Sequence, residues 1–491
     1  MTKLASSQPD RHTLDGTIRV FLAEALLLPT GVLTAAFLTR RLGPEGYGLF
    51  TLAAILVSWV EWSITSVFAR ATIKFIGEAQ DWRPVGATVT RLHLLASSGS
   101  TFLLWLLAPL IARLLNEPAL ATYLRLFALD IPLFCLAHAH RNILIGIGSF
   151  RERALASTGR WIARLLLIVF LVELGLSVPG AIVGSIGASI VELVIGRFYV
   201  RPSLFRPSTF PARQLWAYAV PLLLFAMSLR LFDKLDLLAL KVLGGTVAQA
   251  GIYGAAQNLA LVPGIFALSF SPLLLSTLSR VLREGEVTLA REMSRDAMRV
   301  VVGLLPFAAL TAGAAPEIVD LILGSSFSAA APLLAVLIFG ALALLMISVT
   351  TAILTAAGRP GWTFALTGPL VPLAIIGHLL LIPRFGAIGA SAVTALGAGL
   401  GALASVLAVH RLWRVLPPIA TLLRSGLVAV VAYAVARLWP TPGLLFLVKI
   451  PAIGILIVLA FLLLGELNAR EMGVARALLG WRAPDPYPRE S

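Results

Sequence analysis

Residues 38–50 read LTRRLGPEGYGLF, and residues 243–254 read LGGTVAQAGIYG. Each stretch interrupts a long apolar run with glycines, and in the first a proline and two arginines stand among them. Glycine adopts backbone dihedrals that other residues avoid, and proline stops a helix from running on. Both stretches therefore read as turns between helices. Tyr47 suits the boundary between lipid and water, with its ring in the headgroup layer. The first glycines of the two turns, Gly43 and Gly244, stand 201 residues apart, and this raises the question of a duplication.

Composition says what kind of helices these turns join. Of 491 residues, 58% are hydrophobic and 13% charged, and the mean hydropathy is +0.92. A soluble domain carries about 25% charged residues. Apolar runs of about 20 residues recur from end to end, each long enough to cross roughly 30 Å of hydrocarbon as a helix. A transmembrane β-barrel would alternate in polarity over short segments, and these runs do not. The bilayer offers the backbone no hydrogen bonds, so the spans must be helical. The expected fold is an all-α polytopic membrane protein.

The polar start, MTKLASSQPDRHTLDGT over residues 1–17, lacks the layout of a cleaved signal, so the first helix is expected to be kept. A single cysteine, Cys135, allows no disulfide within the chain and no cysteine-based metal site. It reads as a small buried apolar side chain. No Walker loop, HExxH pair, nucleophile elbow or dinucleotide fingerprint occurs, so no cofactor or metal is expected. The run GAGLG at Gly397–Gly401 lies in an apolar helix and reads as close helix packing. The net charge of +15 is what cytoplasmic loops carry. It comes without the basic, aromatic-interleaved clusters of a nucleic-acid-binding protein, so no nucleic-acid partner is expected.

Fourteen helices are expected, with cores near 18–38, 49–68, 92–112, 122–145, 155–174, 179–199, 216–240, 251–276, 299–315, 331–353, 362–382, 387–409, 421–439 and 443–464. The ninth and tenth are interrupted by PEIVD at Pro316–Asp320. With the N-terminus inside, 29 of the 39 lysines and arginines fall in or beside cytoplasmic segments, Arg151, Arg153 and Arg160 among them, and eight fall outside. This split orients the chain with both termini in the cytoplasm. The loop at 279–298 has charges on a helical period and reads as a surface or connector helix; the start of the tail from Asn468 reads as an interfacial helix.

Two further pairs extend the repeat. LIGIG at Leu144–Gly148 echoes LTAAG at Leu354–Gly358, and Gly180-Ala181-Ile182 echoes Gly386-Ala387-Ile388. Three ordered pairs with similar offsets imply a duplication. Each copy contains six helices, so the second re-enters with the same orientation as the first, the parallel-repeat arrangement of some transporters. The expected organisation is an N-terminal segment at 1–17, a six-helix bundle at 18–200 and a cytoplasmic linker at 201–215. A second six-helix bundle at 216–410, two additional transmembrane helices at 411–466 and a cytoplasmic tail at 467–491 follow.

The stretch LTRRLGPEGYGLF, followed by Phe68-Ala69-Arg70 and Lys74-Phe75-Ile76-Gly77-Glu78, resembles the polysaccharide biosynthesis, or lipid-linked oligosaccharide flippase, family. That family lies within the multidrug/oligosaccharidyl-lipid/polysaccharide exporter superfamily. The second half resembles it too, through Asp236 ahead of Leu243-Gly244, Ala250 to Ala256, Ile322-Leu323-Gly324 and Ala331-Pro332-Leu333-Leu334. The resemblance covers residues from about 15 to 410. One departure is visible: a basic residue often follows the family's acid, and here Leu237 follows Asp236. Either Asp233, followed by Lys234, or Asp236 matches that position.

Ionisable groups within spans cost at least about 2.5–3.5 kcal/mol each, so they are candidate functional groups. The seventh helix carries Arg230, Asp233, Lys234, Asp236 and Lys241. At about 100° per residue, Asp233, Lys234 and Lys241 share a face with Arg230, and Asp236 falls about 120° away. Arg230 and Lys234 on this face suit an anionic headgroup, with Asp233 tuning them or carrying a coupling ion. The alternative is an internally paired cluster that only orients the helix. Further candidates are Glu24, Glu61, Asp130, His138 and Arg141, with Arg164 near the start of the fifth helix and Glu192 and His378 alone in apolar runs.

The resemblance implies a flippase for a polyprenyl-(pyro)phosphate-linked oligosaccharide or polysaccharide precursor in the bacterial inner membrane. Its partners would be that substrate, membrane lipids and polysaccharide assembly proteins. Drug–cation antiport on the same fold would favour an acidic cavity. An enzyme of polysaccharide assembly would need a larger loop domain than any here, and a non-transporting scaffold would not need so many intramembrane charges.

Overall fold

The computed structural model describes residues 26–203, 210, 211, 213, 215, 235–441 and 443–466. Glu24, Arg230, Asp233 and Lys234 lie outside the described residues. Among the described residues there is no strand, and nine segments are long and apolar enough to cross a membrane.

The N-terminal helices are α1 (Leu27–Glu78), α2 (Arg83–Leu114), α3 (Ala119–Phe127), α4 (Asp130–Gly146), α5 (Phe150–Leu171) and α6 (Ser177–Tyr199). The seventh expected helix is described only at its end, α7, residues 235–242. Then come α8 (Val247–Ala260), α9 (Val262–Arg283), α10 (Val287–Gly303), α11 (Leu305–Gly313) and α12 (Ala315–Leu323). The last are α13 (Ala330–Ala356), α14 (Pro360–Thr367), α15 (Leu370–Trp413), α16 (Ile419–Leu438) and α17 (Phe446–Leu463).

Several of these helices are too long for one crossing. The 52 residues of α1 would rise about 78 Å as a straight helix, against roughly 30 Å of hydrocarbon. The chain turns within it at Gly43 (φ 67°, ψ 179°), just before Pro44. It turns likewise between α5 and α6 at Gly175 (φ 88°) and within α15 at Gly386 (φ 56°). Left-handed glycines recur in order in both halves, at 43 and 244, 148 and 358, and 175 and 386. The expected third pair matched Gly386 to Gly180, but the left-handed counterpart is Gly175. Ile-type apolar matches near a turn are common, whereas a positive φ marks the turn itself.

Helices α2 to α6 all pack on α1, while α13 is the hub for α8 to α12, α14 and α15. Outward-facing side chains are apolar, as at Phe102, Phe198 and Leu463, which suits contact with acyl chains. The loop 279–298 is helical on both sides of a turn. Its first part ends α9, Gly285 turns the chain at φ 82°, and its second part starts the continuous apolar segment Val287–Gly313. Ala290, Ser294, Ala297 and Met298 form its buried stripe. PEIVD builds the short α12, which separates the ninth span from the tenth.

The two halves meet where the two quoted turns meet. A Cβ on Gly48 would lie 2.1 Å from the carbonyl oxygen of Val247, and a Cβ on Gly251 would lie 2.2 Å from that of Pro44. Both neighbours are backbone, so only glycine allows this approach. Asn258 donates to the Tyr47 hydroxyl at 2.9 Å, and the Tyr47 ring meets Phe327 edge-on at 5.9 Å. Lys241 pairs with Glu117 at 3.6 Å, and Arg40 donates to the Leu321 carbonyl at 2.5 Å. The turns read singly from sequence are two sides of one seam.

The last two helices are fastened to the second half at both ends. Lys449 of α17 is fully buried and pairs with Glu317 of α12 at 2.6 Å. At the other end Glu466 binds Arg299 of α10 at 2.8 Å, and Thr421 and Arg424 of α16 at 2.5 and 3.0 Å. Arg299 also donates to the Glu466 carbonyl. Burial alone would raise the Glu466 carboxyl, but the hydrogen bonds from Thr421, Arg299 and Arg424 outweigh it and hold it below the ordinary glutamate value. A depressed folded-state value contributes stability above the unfolded value of roughly 4.3, and that stability is lost as pH falls through the folded one. Glu466→Gln is therefore expected to lower the melting temperature at pH 7. The gap to the parent should close as pH falls below about 4; a gap independent of pH in detergent melts would contradict the ionic role.

Candidate functional site

Helix α5 begins FRERALASTGRWIARLLL. Arg153, Ser157, Arg160 and Arg164 fall at spacings of four, three and four, so at about 100° per residue they share one face. On α6, Ser185, Ser189, Glu192 and Gly196 repeat the same spacings. On α4, Asp130, Phe134, His138 and Arg141 fall within one broad face. Because α4, α5 and α6 pack on one another and on α1, these polar faces turn toward each other inside the first half.

The Glu192 carboxylate, 1% exposed, sits between two guanidinium groups. Arg141 reaches one oxygen at 3.5 Å and Arg160 the other at 3.3 Å. Arg160 also stacks over the Phe134 ring at 4.4 Å, which fixes the plane of its guanidinium. Glu61 of α1 and Asp130 of α4 are buried, and one oxygen of each, Oε1 and Oδ1, has no hydrogen-bond partner among the described residues. The charges of Asp130, Arg160 and Arg164 act on Glu61, and those of Arg160, Arg164 and Glu192 act on Asp130. Arg164 is half-buried, with its Nε unpartnered among the described residues. His138 contacts Asn142 at 3.0 Å through Nδ1.

A guanidinium has five N–H donors in a rigid fork. Glu192 takes one contact from Arg141 and one from Arg160, so both retain donors for a second anion, and Arg164 stands beside them. The arrangement suits a group with several acceptor oxygens, such as a phosphate or diphosphate.

Asp236 is differently placed. Its carboxylate accepts from Tyr253 at 2.6 Å, from Gln257 at 2.8 and 2.9 Å, from Thr394 at 2.9 Å and from the Leu237 amide at 2.8 Å. These donors join α7, α8 and α15 around a carboxylate that is 1% exposed. Such an acid holds helices together.

Of the sequence candidates, the structure brings Glu61, Asp130, His138 and Arg141 into one cluster and sets Asp236 apart from it. Arg160, counted from sequence with the cytoplasmic charges, stands inside the bundle. Glu192, read as alone in an apolar run, is the anchor of two arginines. The signal for both lay in the matching spacings of α5 and α6. Among the described residues no group of three or more histidine, cysteine or acidic side chains is arranged to hold a metal.

The polysaccharide biosynthesis protein family matches residues 37–332. The chain is 26% identical over 428 residues to a probable flippase, AglR, of Haloferax volcanii, covering 84% of this chain and 87% of that protein. Among solved structures it is similar to the lipid II flippase MurJ in an inward closed conformation, with TM-score 0.71 and 15% identity over 95% of this chain and 99% of that one. It is also similar to a mutant of the Vibrio cholerae MATE transporter VcmN, with TM-score 0.57 and 16% identity over 82% and 97% of the two chains. At these identities the structural likenesses speak for the fold alone.

Proposed function

Because the chain belongs to the polysaccharide biosynthesis protein family, we propose that it is a flippase for a polyprenyl-(pyro)phosphate-linked oligosaccharide or a related polysaccharide precursor. It moves the headgroup from the cytoplasmic to the outer leaflet of a bacterial inner membrane, by alternating access of its two halves and without making or breaking bonds in it. The observation that carries this reading is the convergence of Arg141, Arg160 and Arg164 inside the first half. Arginines within a bilayer are expensive, and a pyrophosphate crossing the membrane needs such a lining. Arg230 and Lys234 of the seventh helix are expected to add cations from the second half. Both termini lie in the cytoplasm in this reading, and polysaccharide assembly proteins would supply and remove the substrate.

The test is reconstitution with a fluorescent polyprenyl-pyrophosphate oligosaccharide, with its appearance in the opposite leaflet followed by quenching. Transport is expected, and its absence in folded, correctly inserted protein would sink the reading. A second reading, cation antiport, draws on the acids Glu61, Asp130 and Glu192. Here arginines stand beside those acids, which leaves little net negative charge for a cation. Efflux of a hydrophobic cation from the same vesicles would reverse the choice.

A further inference from the structure

Far along the chain from the arginine cluster, a polar cavity of about 420 Å³ opens where α10, α16 and the residues after α17 meet. The charge split of the loops assigns this end of the helices to the cytoplasm. One wall is α10, whose Glu292, Arg295, Asp296 and Arg299 fall within about 100° of one another around the helix axis. The facing wall is the start of α16 with Arg424, and the remaining side is Gly465 and Glu466.

The charges on these walls divide into two groups. Glu466 is already committed to Arg299, Thr421 and Arg424. Arg424 gives it only Nη1, which also donates to the Gly465 carbonyl at 3.2 Å, so Nε and Nη2 are left for another acceptor. Glu292, Arg295 and Asp296 are exposed and pair with none of the described residues. The cavity therefore sets donors for a phosphate, on Arg295 and Arg424, beside two carboxylates that suit an ammonium. A simple anion is repelled by the acids and a simple cation by the arginines, whereas a group carrying both charges is attracted by each.

A second feature adds a place for an acyl chain. Between α16 and α17 lies an apolar groove of about 250 Å³, and its Leu427, Val431, Leu456 and Leu463 are exposed. The groove reaches the cavity. Leu463 and Leu464 line the groove, and the next two residues, Gly465 and Glu466, line the cavity. Arg424 stands one helical turn before Leu427 and Val428. Polar pockets between membrane helices take lipid headgroups, and a pocket that runs into an apolar groove has the two-part shape of a phospholipid.

We infer that this is a site for a resident phospholipid whose headgroup carries a phosphate and a primary ammonium. Its phosphate meets Arg295 and Arg424, whose planar forks match phosphate oxygens. Its ammonium, with three N–H donors, meets Glu292 and Asp296, and one acyl chain lies along α16 and α17. The lipid braces the last two helices against α10, at the end where Glu466 already joins them. A transported diphosphate lipid fits this site poorly, because it has no ammonium and its second phosphate adds charge against the two acids.

The experiment uses the full chain, freed of lipid in detergent micelles, with short-chain phosphatidylethanolamine, phosphatidylglycerol and phosphatidylcholine as probes. Native mass spectrometry counts bound lipid, and the rise in melting temperature with lipid concentration gives the affinity. Phosphatidylethanolamine is expected to bind about tenfold or more tightly than the other two. The glycerol headgroup lacks the cation, and the choline headgroup cannot donate a hydrogen bond to the acids. Glu292→Gln/Asp296→Asn is expected to turn the preference toward phosphatidylglycerol, and Arg295→Ala to weaken binding of both. These positions are exposed and outside the Glu466 network, so the fold is kept. Equal affinities for the three lipids in the parent overturn the inference without any variant. Free phosphoethanolamine binding as tightly as the lipid overturns it too, since the groove then plays no part. Displacement by an equal concentration of a short-chain isoprenyl diphosphate would give the site to the transported lipid. Binding that appears only after residues 467–491 are removed would make the chain's own tail the occupant, and either result rejects the inference.

Discussion

Arg160→Ala/Arg164→Ala is expected to abolish transport of a pyrophosphate-linked lipid while the protein still inserts and folds. Each charge-assisted hydrogen bond to an ionised partner contributes about 1.5–3 kcal/mol. Loss of two such groups removes about 3–6 kcal/mol, which is a factor of roughly 10² to 10⁴ in affinity or flux. Folding survives for a stated reason. Arg141 remains on Glu192 at 3.5 Å, so the buried carboxylate that loses Arg160 keeps a cationic partner. Arg160→Lys is expected to rescue only in part, because lysine keeps the charge and loses the planar fork that stacks on Phe134. Arg125→Ala is the matched control, since that arginine lies over Trp105 away from the cluster. Initial rates of headgroup appearance in the outer leaflet of vesicles measure all three against the parent. A double variant with parental rates would remove the cluster from the transport route.

The sequence announced the fold through lengths and turns, and the structure follows for physical reasons. A run near 20 apolar residues has no other stable form in hydrocarbon, and a turn with φ above zero, as at Gly43 or Gly244, shows in the sequence as a glycine between apolar runs. The site was only partly legible. Asp130, Glu61, His138 and Arg141 stood out because each is a charge or imidazole in an apolar run. Arg160 did not, because it follows Arg151 and Arg153 closely enough to pass for a loop charge, although its helix carries it about 15 Å in from Phe150 at 1.5 Å per residue. Pairings such as Glu192 with Arg141 and Arg160, or Glu466 with Arg299, Thr421 and Arg424, join residues far apart in the chain. Periodicity gives the face a residue occupies, and it does not give the partner across from it. The mutual packing of the two quoted turns was hidden for the same reason: each reads as a complete local device.

That seam leads to the other large expected effect. Gly251→Ala places a methyl group 2.2 Å from the Pro44 carbonyl oxygen, and Gly48→Ala places one 2.1 Å from that of Val247. Ordinary contact begins near 3.4 Å, and neither obstacle is a side chain that swings aside. The halves must part by about an ångström or more at this end, or the turns must deform. Overpacking of this kind costs about 1–3 kcal/mol. Each 1.4 kcal/mol shifts a two-state population tenfold, so a protein that alternates between closed and open forms at this seam is pushed toward the open one. Parting also stretches the Lys241–Glu117 pair, 3.6 Å apart here, and the Asn258–Tyr47 bond. Spin labels on Glu117→Cys and Lys241→Cys report the change directly, because the chain's one natural cysteine, Cys135, is buried. The parent is expected to show a short inter-label distance, and Gly251→Ala a longer distribution together with a transport rate at least tenfold lower. The double variant Gly48→Ala/Gly251→Ala should not be much worse than either single one, because once the seam has parted for one methyl the second finds room. Unchanged distances with full transport in Gly251→Ala would mean that the seam is a static joint, and that the halves exchange access by moving elsewhere.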